Sequence, residues 1–184
     1  MNGILLGIAY LAAVNPPRTR TALPEDGAGR ARMAVLAAGA GLALAGVLAL
    51  AGWSGPILDA LEVTPETFRL AAGIVITVAA VVTLARPRPA EEPEAPGPAA
   101  AVWPVLYPRL LSVEVVVLAL TTGTKEGVVA TVLAAAAAVA VTVALGLVRR
   151  TPLTDRVLIG AGRLVVVLLT IVAVFLMVDG IRDV

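Results

Sequence analysis

Two long stretches of this sequence contain no charged residue at all. Residues 33–53 and 127–148 are mostly apolar and hold no Asp, Glu, Lys or Arg. A helix needs roughly 20 apolar residues to cross the hydrocarbon core of a bilayer, and each stretch meets that length. Because backbone polar groups find no water in lipid, such stretches favour transmembrane helices. The sequence therefore predicts an all-α membrane protein whose first partner is the lipid bilayer.

The composition of the whole chain excludes several other classes. Of the 184 residues, 59% are hydrophobic and only 15% are charged, whereas a soluble domain carries about 25% charged residues. The chain has no His and no Cys, which excludes imidazole bases, Cys/His zinc sites, thiol nucleophiles and disulfides. A net charge of +1 gives no electrostatic basis for binding nucleic acid. We expect no enzymatic activity, no cofactor and no metal site.

Two further segments are long enough to span a membrane. Residues 68–85 and 157–178 are apolar apart from Arg69 and Arg163. Both segments qualify if these two Arg side chains snorkel toward the headgroups. Together with the uncharged stretches, they make four regular spans.

Two irregular segments complete the count. Residues 1–14 are apolar but short and end at Asn15-Pro16-Pro17. Residues 99–122 are long enough, but the segment is interrupted by Pro104, Pro108, Arg109 and Glu114. Six transmembrane helices are the most economical interpretation.

The distribution of basic residues predicts the orientation. Ten Arg residues fall in or beside the segments that follow spans one, three and five, and three basic residues fall on the opposite side. Since cytoplasmic loops carry the excess of Lys and Arg, both termini are expected on the outer side. The expected location is the cell (inner or plasma) membrane, crossed several times.

A Pro-rich segment divides the chain into halves. Residues 87–99 read as an extended cytoplasmic linker between a first three-helix unit, 1–86, and a second, 100–184. Residues 64–73 and 151–160 share the pattern T-P-x-T-x-R-x-x-x-G at the start of the third span of each half. Thr as N-cap and Pro at the first helical position explain the Thr-Pro pair, and two independent helix starts remain an alternative. A true repeat with three spans per half predicts two inverted three-helix repeats, as in secondary transporters.

Four parts of the sequence carry a further signal, namely Asn15-Pro16, residues 68–73, Pro104 with Pro108, and residues 175–181. Through these residues the chain resembles the MarC family of six-span membrane proteins, grouped with the LysE-type exporters. The resemblance runs over most of the chain and implies an inner-membrane protein of transporter type. Members of the wider group export amino acids or other small solutes.

Six residues at the two irregular spans are candidates for binding a solute. They are Asn15, Pro16, Pro108, Arg109, Ser112 and Glu114. Pro removes a backbone N–H and frees carbonyls for a ligand or water, and Pro-interrupted spans at matching positions point to a midplane site. Asn15 either presents its amide to solute or caps a turn. The Ser112 hydroxyl is expected to bond its own backbone.

The two charged candidates each have an alternative. Glu114 inside a span is a functional residue by default, able to carry a proton, unless it lies near the outer headgroups. Arg109 suits a carboxylate or phosphate, but it is also a candidate counter-charge from a neighbouring span. The two are about 140° apart around an ideal helix, so they do not share a face unless Pro108 breaks the helix.

The sequence thus predicts a secondary transporter or exporter of a small polar, amino-acid-like solute, working by alternating access. No Walker-type motif is present, which excludes ATP-driven pumping by this chain. The first alternative is a non-transporting membrane scaffold or assembly partner, and a lipid-handling protein ranks last. Small residues share one face of the second span and would allow close packing, including in a homodimer. They are Ala37, Gly41, Ala45 and Ala49.

Overall fold

The computed structural model describes residues 3–21, 29–85, 102–147 and 152–182, and every element within them is helical. The α-helices are α1 (Gly3–Val14), α2 (Pro16–Thr21), α3 (Gly29–Gly52), α4 (Ser54–Ala60), α5 (Pro65–Ala85), α6 (Val113–Lys125), α7 (Val128–Leu147) and α8 (Pro152–Arg182). A π-helical segment, Val102–Leu110, lies between α5 and α6. The linker predicted at 87–99 lies outside the described residues.

Four helices are long and apolar enough to cross a membrane. They are α3 over Met33–Gly52, α5, α7, and α8 over Arg156–Arg182. No more than a third of the most apolar part of each is buried, so these helices turn apolar side chains outward, as a lipid-facing helix does. The four regular spans expected from the sequence are confirmed by length and composition, and the protein is of the membrane-embedded helical class.

The two irregular segments are each divided into two helices. The first breaks at Asn15, between α1 and α2, as the Asn-Pro-Pro run predicts. The second continues through Pro108 and breaks later than expected, at Leu111 and Ser112. Its π-helical segment explains this difference, since the Leu111 N–H donates to the Leu106 carbonyl five residues back. Pro108 has no N–H to donate in either kind of helix, and the backbone continues past it in the wider turn.

The Thr-Pro start of α5 has the predicted capping geometry. The backbone N–H of Thr67 donates to the Thr64 hydroxyl at 3.3 Å, and the N–H of Phe68 donates to the Thr64 carbonyl at 2.9 Å. Pro65 is the first helical residue, where its missing N–H costs nothing. In the second half, α8 likewise begins at Pro152, whereas Thr151 lies outside the described residues.

Packing between the halves is reciprocal. The first broken segment, α1 and α2, packs on α7 and α8 of the second half. The second broken segment, the π-helical segment and α6, packs on α3, and α6 also contacts α5. The two third helices, α5 and α8, form the most extensive interhelical contact. Each broken segment therefore lies against the long helices of the opposite half.

Glycines set the closest crossings between these helices. A Cβ atom on Gly73 of α5 would lie 2.6 Å from the Ala173 carbonyl oxygen of α8, and one on Gly180 would lie 2.9 Å from the Glu66 carbonyl oxygen. Contacts this short exclude a side chain, so α5 and α8 meet backbone to backbone. Small residues at helix crossings serve this purpose in membrane proteins, where close packing drives association.

Candidate functional site

The break between α1 and α2 is centred on Asn15, which adopts a left-handed conformation with φ of 47°. Asn is among the few residues that tolerate this region. Its carbonyl accepts a hydrogen bond from the Thr19 N–H at 3.1 Å, and its side-chain Nδ2 donates to the Gly162 carbonyl of α8 at 3.4 Å. Asn15 is buried, and it therefore both shapes the turn and ties the broken segment to α8.

The end of α1 leaves backbone carbonyls without their helical donors. Pro16 and Pro17 have no N–H, so the carbonyls of Ala12 and Ala13 lack the i→i−4 partner of a continuous helix. The Val14 carbonyl accepts from the Thr19 hydroxyl at 3.2 Å. A helix C-terminus carries partial negative charge on such carbonyls. This end of the break is suited to a cation or a hydrogen-bond donor.

The second break presents the opposite polarity. Ser112 is the N-cap of α6, and its hydroxyl accepts a hydrogen bond from the Val115 N–H at 3.4 Å. This contact with the local backbone confirms the expectation for the Ser112 hydroxyl. A helix N-terminus carries partial positive charge on its free N–H groups and attracts anions. The start of α6 is therefore suited to a carboxylate.

A cavity of about 540 Å³ lies between these two breaks. Four of the six candidate residues line it, namely Asn15, Arg109, Ser112 and Glu114. Ala12 and Ala13, whose carbonyls lack helical donors, also line it, together with apolar residues of α5 and α8. We call it the Asn15 cavity. Its volume falls within the range of about 300–1,000 Å³ typical of small-molecule sites.

Arg109 and Glu114 reach this cavity from different helices. Arg109 belongs to the last turn of the π-helical segment and Glu114 to the first turn of α6, and each is partly buried. In a single regular helix they would lie on different faces, but the break at Leu111 and Ser112 reorients one relative to the other. The structure thus brings a guanidinium and a carboxylate onto the wall of one cavity.

The two proline candidates have a different position. Pro16 is buried at the first residue of α2 and is not part of the cavity wall. Pro108 lies within the π-helical segment. Pro16 contributes through the backbone, since the missing N–H of Pro16 helps to end α1 at Asn15, whereas the second segment continues through Pro108 and breaks at Leu111 and Ser112.

Several polar side chains line the cavity or are buried although the sequence did not single them out. Three more polar side chains line the Asn15 cavity, namely Thr19, Thr83 and Tyr107. Arg20, one of the ten Arg residues counted on the cytoplasmic side after span one, is 2% exposed within α2. A lone Thr in an apolar helix carries no sequence signal for a site, because its hydroxyl normally bonds its own backbone.

Arg69, one of the two Arg residues expected to snorkel if their segments span the membrane, is only 5% exposed. Its guanidinium donates to Glu66 Oε1 at 3.0 Å and to Asp179 Oδ2 at 3.1 Å. Lys125 Nζ also contacts Asp179 Oδ2. Arg69 remains buried because two carboxylates compensate its charge; the Glu66 partner, three residues away, was visible in sequence, whereas Asp179 was not.

Within the described residues, no group of three or more His, Cys, Asp or Glu side chains is arranged to hold a metal ion. Comparison of the chain with family models, with characterised proteins and with solved structures finds no match. The resemblance to the MarC family therefore stays a prediction, and the functional argument rests on the cavity.

Proposed function

We propose that this protein is a secondary transporter or exporter that moves a small, polar, amino-acid-like solute across the cell membrane. In this proposal the chain forms six spans in two inverted three-helix repeats, with both termini on the outer side. The reciprocal packing of each broken segment on the long helices of the other half supports the inverted arrangement. A pair of broken leading spans is the pattern found around the central sites of such transporters.

The single observation that carries the proposal is that both Arg109 and Glu114 line the Asn15 cavity. Charged groups away from the headgroups are costly, and they are retained where they serve a ligand or an ion. With a rise of about 1.5 Å per residue, Glu114 lies about 16 Å along α6 from Lys125. Since Lys125 contacts Asp179 at the charged end of the bundle, Glu114 lies well away from that end.

The polarity of the cavity suits a zwitterion. Arg109 and the N-terminus of α6 attract a carboxylate, because a guanidinium forms bidentate hydrogen bonds and helix N–H groups add partial positive charge. Glu114 and the carbonyls of Ala12 and Ala13 attract an ammonium group. The solute moves without covalent chemistry, as the surrounding helices expose the cavity to one side and then to the other.

Flux in reconstituted liposomes tests this function. Uptake of radiolabelled amino acids with zero, negative and positive net charge is measured for the wild type and for Glu114→Gln and Arg109→Ala. We expect the zwitterions to be transported. Each substitution removes a charge-assisted hydrogen bond of roughly 1.5–3 kcal/mol and should lower flux about tenfold or more.

Matched controls remove the same charges elsewhere. Glu62→Gln and Arg182→Ala alter exposed side chains outside the cavity, and both should retain wild-type flux. Wild-type protein that gives no flux, or flux that the two cavity variants leave unchanged, would contradict the transporter proposal.

One observation favours the alternative of a non-transporting scaffold. The four small residues predicted to share a face of α3 are all exposed, namely Ala37, Gly41, Ala45 and Ala49. Such a face permits close approach of another helix, from a second copy or from another membrane protein. The scaffold predicts a stable assembly in detergent together with no solute flux, so the liposome assay separates the two functions.

A further inference from the structure

Four charged side chains join three helices at one end of the bundle. Glu66 and Arg69 lie in the first turns of α5, Lys125 in the last turn of α6, and Asp179 near the end of α8. We call these four residues the Arg69 cluster. Asp179 accepts from Arg69 at 3.1 Å and also contacts Lys125, while Glu66 accepts from Arg69 at 3.0 Å. Two bases and two acids leave the cluster without net charge.

The same three helices line the Asn15 cavity further along their lengths. Ala79 lies about 15 Å along α5 from Arg69, Glu114 about 16 Å along α6 from Lys125, and Leu169 about 15 Å along α8 from Asp179. All three residues are on the cavity wall. The same three helices therefore form the Arg69 cluster at one end of the bundle and line the Asn15 cavity about 15 Å farther along their axes.

Helix contacts at the cluster are as close as the backbone allows. A Cβ on Gly180, next to Asp179, would lie 2.9 Å from the Glu66 carbonyl oxygen and from the Leu70 nitrogen. At the cavity level, α5 and α8 contribute side chains to an open space of about 540 Å³. α5 and α8 thus meet backbone to backbone at the charged end and again at Gly73 and Ala173, and the open space lies beyond that crossing.

We propose that the Arg69 cluster is an ionic gate that closes the Asn15 cavity toward the Asp179 end and separates when the cavity opens to that side. The inference rests on the proposed transport function. The partial exposure of Lys125 and Asp179 suits a reversible contact, because charges that reach water are re-solvated when the pair separates. Arg69 keeps Glu66, a partner on its own helix, when α8 moves away.

Cysteine accessibility tests the gate directly, because the chain contains no native Cys. Ala79→Cys places one thiol on the cavity wall, and a membrane-impermeant maleimide is applied to one side of sealed vesicles. Asp59→Cys, on the exposed surface of α4, identifies the vesicle side that faces the Asp179 end. With the cluster intact, we expect Ala79→Cys to react slowly from that side.

Adding Asp179→Asn to Ala79→Cys should raise the labelling rate from the Asp179 side about tenfold, which corresponds to roughly 1.4 kcal/mol lost from the closed state. The control, Glu62→Gln in the Ala79→Cys background, removes an exposed carboxylate outside the cluster and should leave the rate unchanged. An unchanged rate with Asp179→Asn, or fast labelling from that side with the cluster intact, overturns the gate.

A second measurement decides the matter if Asp179→Asn does not fold. Lys125→Cys and Asp179→Cys are combined and joined by a reducible bifunctional thiol reagent, with a monofunctional reagent as control. Crosslinking should abolish solute flux, and reduction should restore it; flux that continues through the crosslinked protein overturns the gate. The labelling assay needs no solute, so the two proposals can fail separately. If Asp179→Asn speeds labelling but no solute flux is measured, only the transport function is rejected. If Asp179→Asn leaves labelling unchanged while Glu114→Gln lowers the flux, only the gate is rejected.

Discussion

The phenol oxygen of Tyr10 lies 3.0 Å from the hydroxyl oxygen of Thr122, across 112 residues of sequence. Thr122 donates its own proton to the Leu118 carbonyl at 2.8 Å and accepts from the Thr131 hydroxyl at 3.0 Å. With its proton used in this way, Thr122 accepts from Tyr10 as well. All three hydroxyl residues are buried, and they join α1, α6 and α7 in one saturated network.

Thr122→Val should destabilise the protein although its shape is nearly conserved. The substitution leaves the buried hydroxyls of Tyr10 and Thr131 without their acceptor, which costs about 1–2 kcal/mol. Thermal unfolding in detergent should show a lower Tm. Thr170→Val is the control, because the Thr170 hydroxyl bonds the Val166 carbonyl of its own helix at 3.1 Å. Equal effects of the two substitutions would show that the network adds nothing to local bonding.

Gly73→Ala should destabilise the crossing of α5 and α8. The added Cβ would lie 2.6 Å from the Ala173 carbonyl oxygen, so the helices must move apart at a cost of about 1–3 kcal/mol. Gly41→Ala is a matched control, since a Cβ there meets no atom within 4 Å. Ala is the better helix former, so Gly41→Ala should keep or slightly raise the Tm. Similar losses at both positions would argue against a close crossing.

The helices and the first break were predictable from sequence because their causes are local. Apolar length determines which segments can span lipid, and Pro16 and Pro17 cannot continue the hydrogen bonding of α1. The Thr64 cap was likewise predictable, since its partners lie within four residues. The effect of such a residue on its own helix depends on residues within a few positions of it, so the sequence alone shows it.

The arrangement of the site was not predictable in the same way. Periodicity in a single helix separates Arg109 from Glu114, and only the shift of the break from Pro108 to Ser112 places both on one cavity. The burial of Arg69 depends on Asp179, which is 110 residues away. Such relationships come from the packing of helices between halves, and no local pattern encodes them.

Asn15→Gly and Asn15→Ala should separate the backbone role of Asn15 from its side-chain role. Glycine adopts the φ of 47° without strain, whereas the left-handed conformation costs alanine about 1–2 kcal/mol. We expect the Tm of Asn15→Gly to stay closer to wild type than that of Asn15→Ala. Both variants lose the amide in the cavity, and both should transport zwitterions more slowly. Wild-type flux in Asn15→Gly would show that the Asn15 side chain has no role in transport and that the residue only shapes the turn.

Ser112→Ala and Ser112→Asp should have opposite effects on the Tm and on the preference among solutes. Alanine removes the N-cap of α6 at a cost of about 0.5–2 kcal/mol but adds no charge to the cavity, so the Tm should fall while the preference among solutes is kept. Aspartate caps a helix as well as serine does, so the Tm should be retained. Its carboxylate would, however, occupy the electropositive start of α6 and repel the carboxylate of the solute, which should lower flux of zwitterions and anions more than that of cations. Measuring Tm in detergent beside uptake of the three charge classes checks both variants, and a Ser112→Asp protein with wild-type solute preference would place the carboxylate site away from the start of α6.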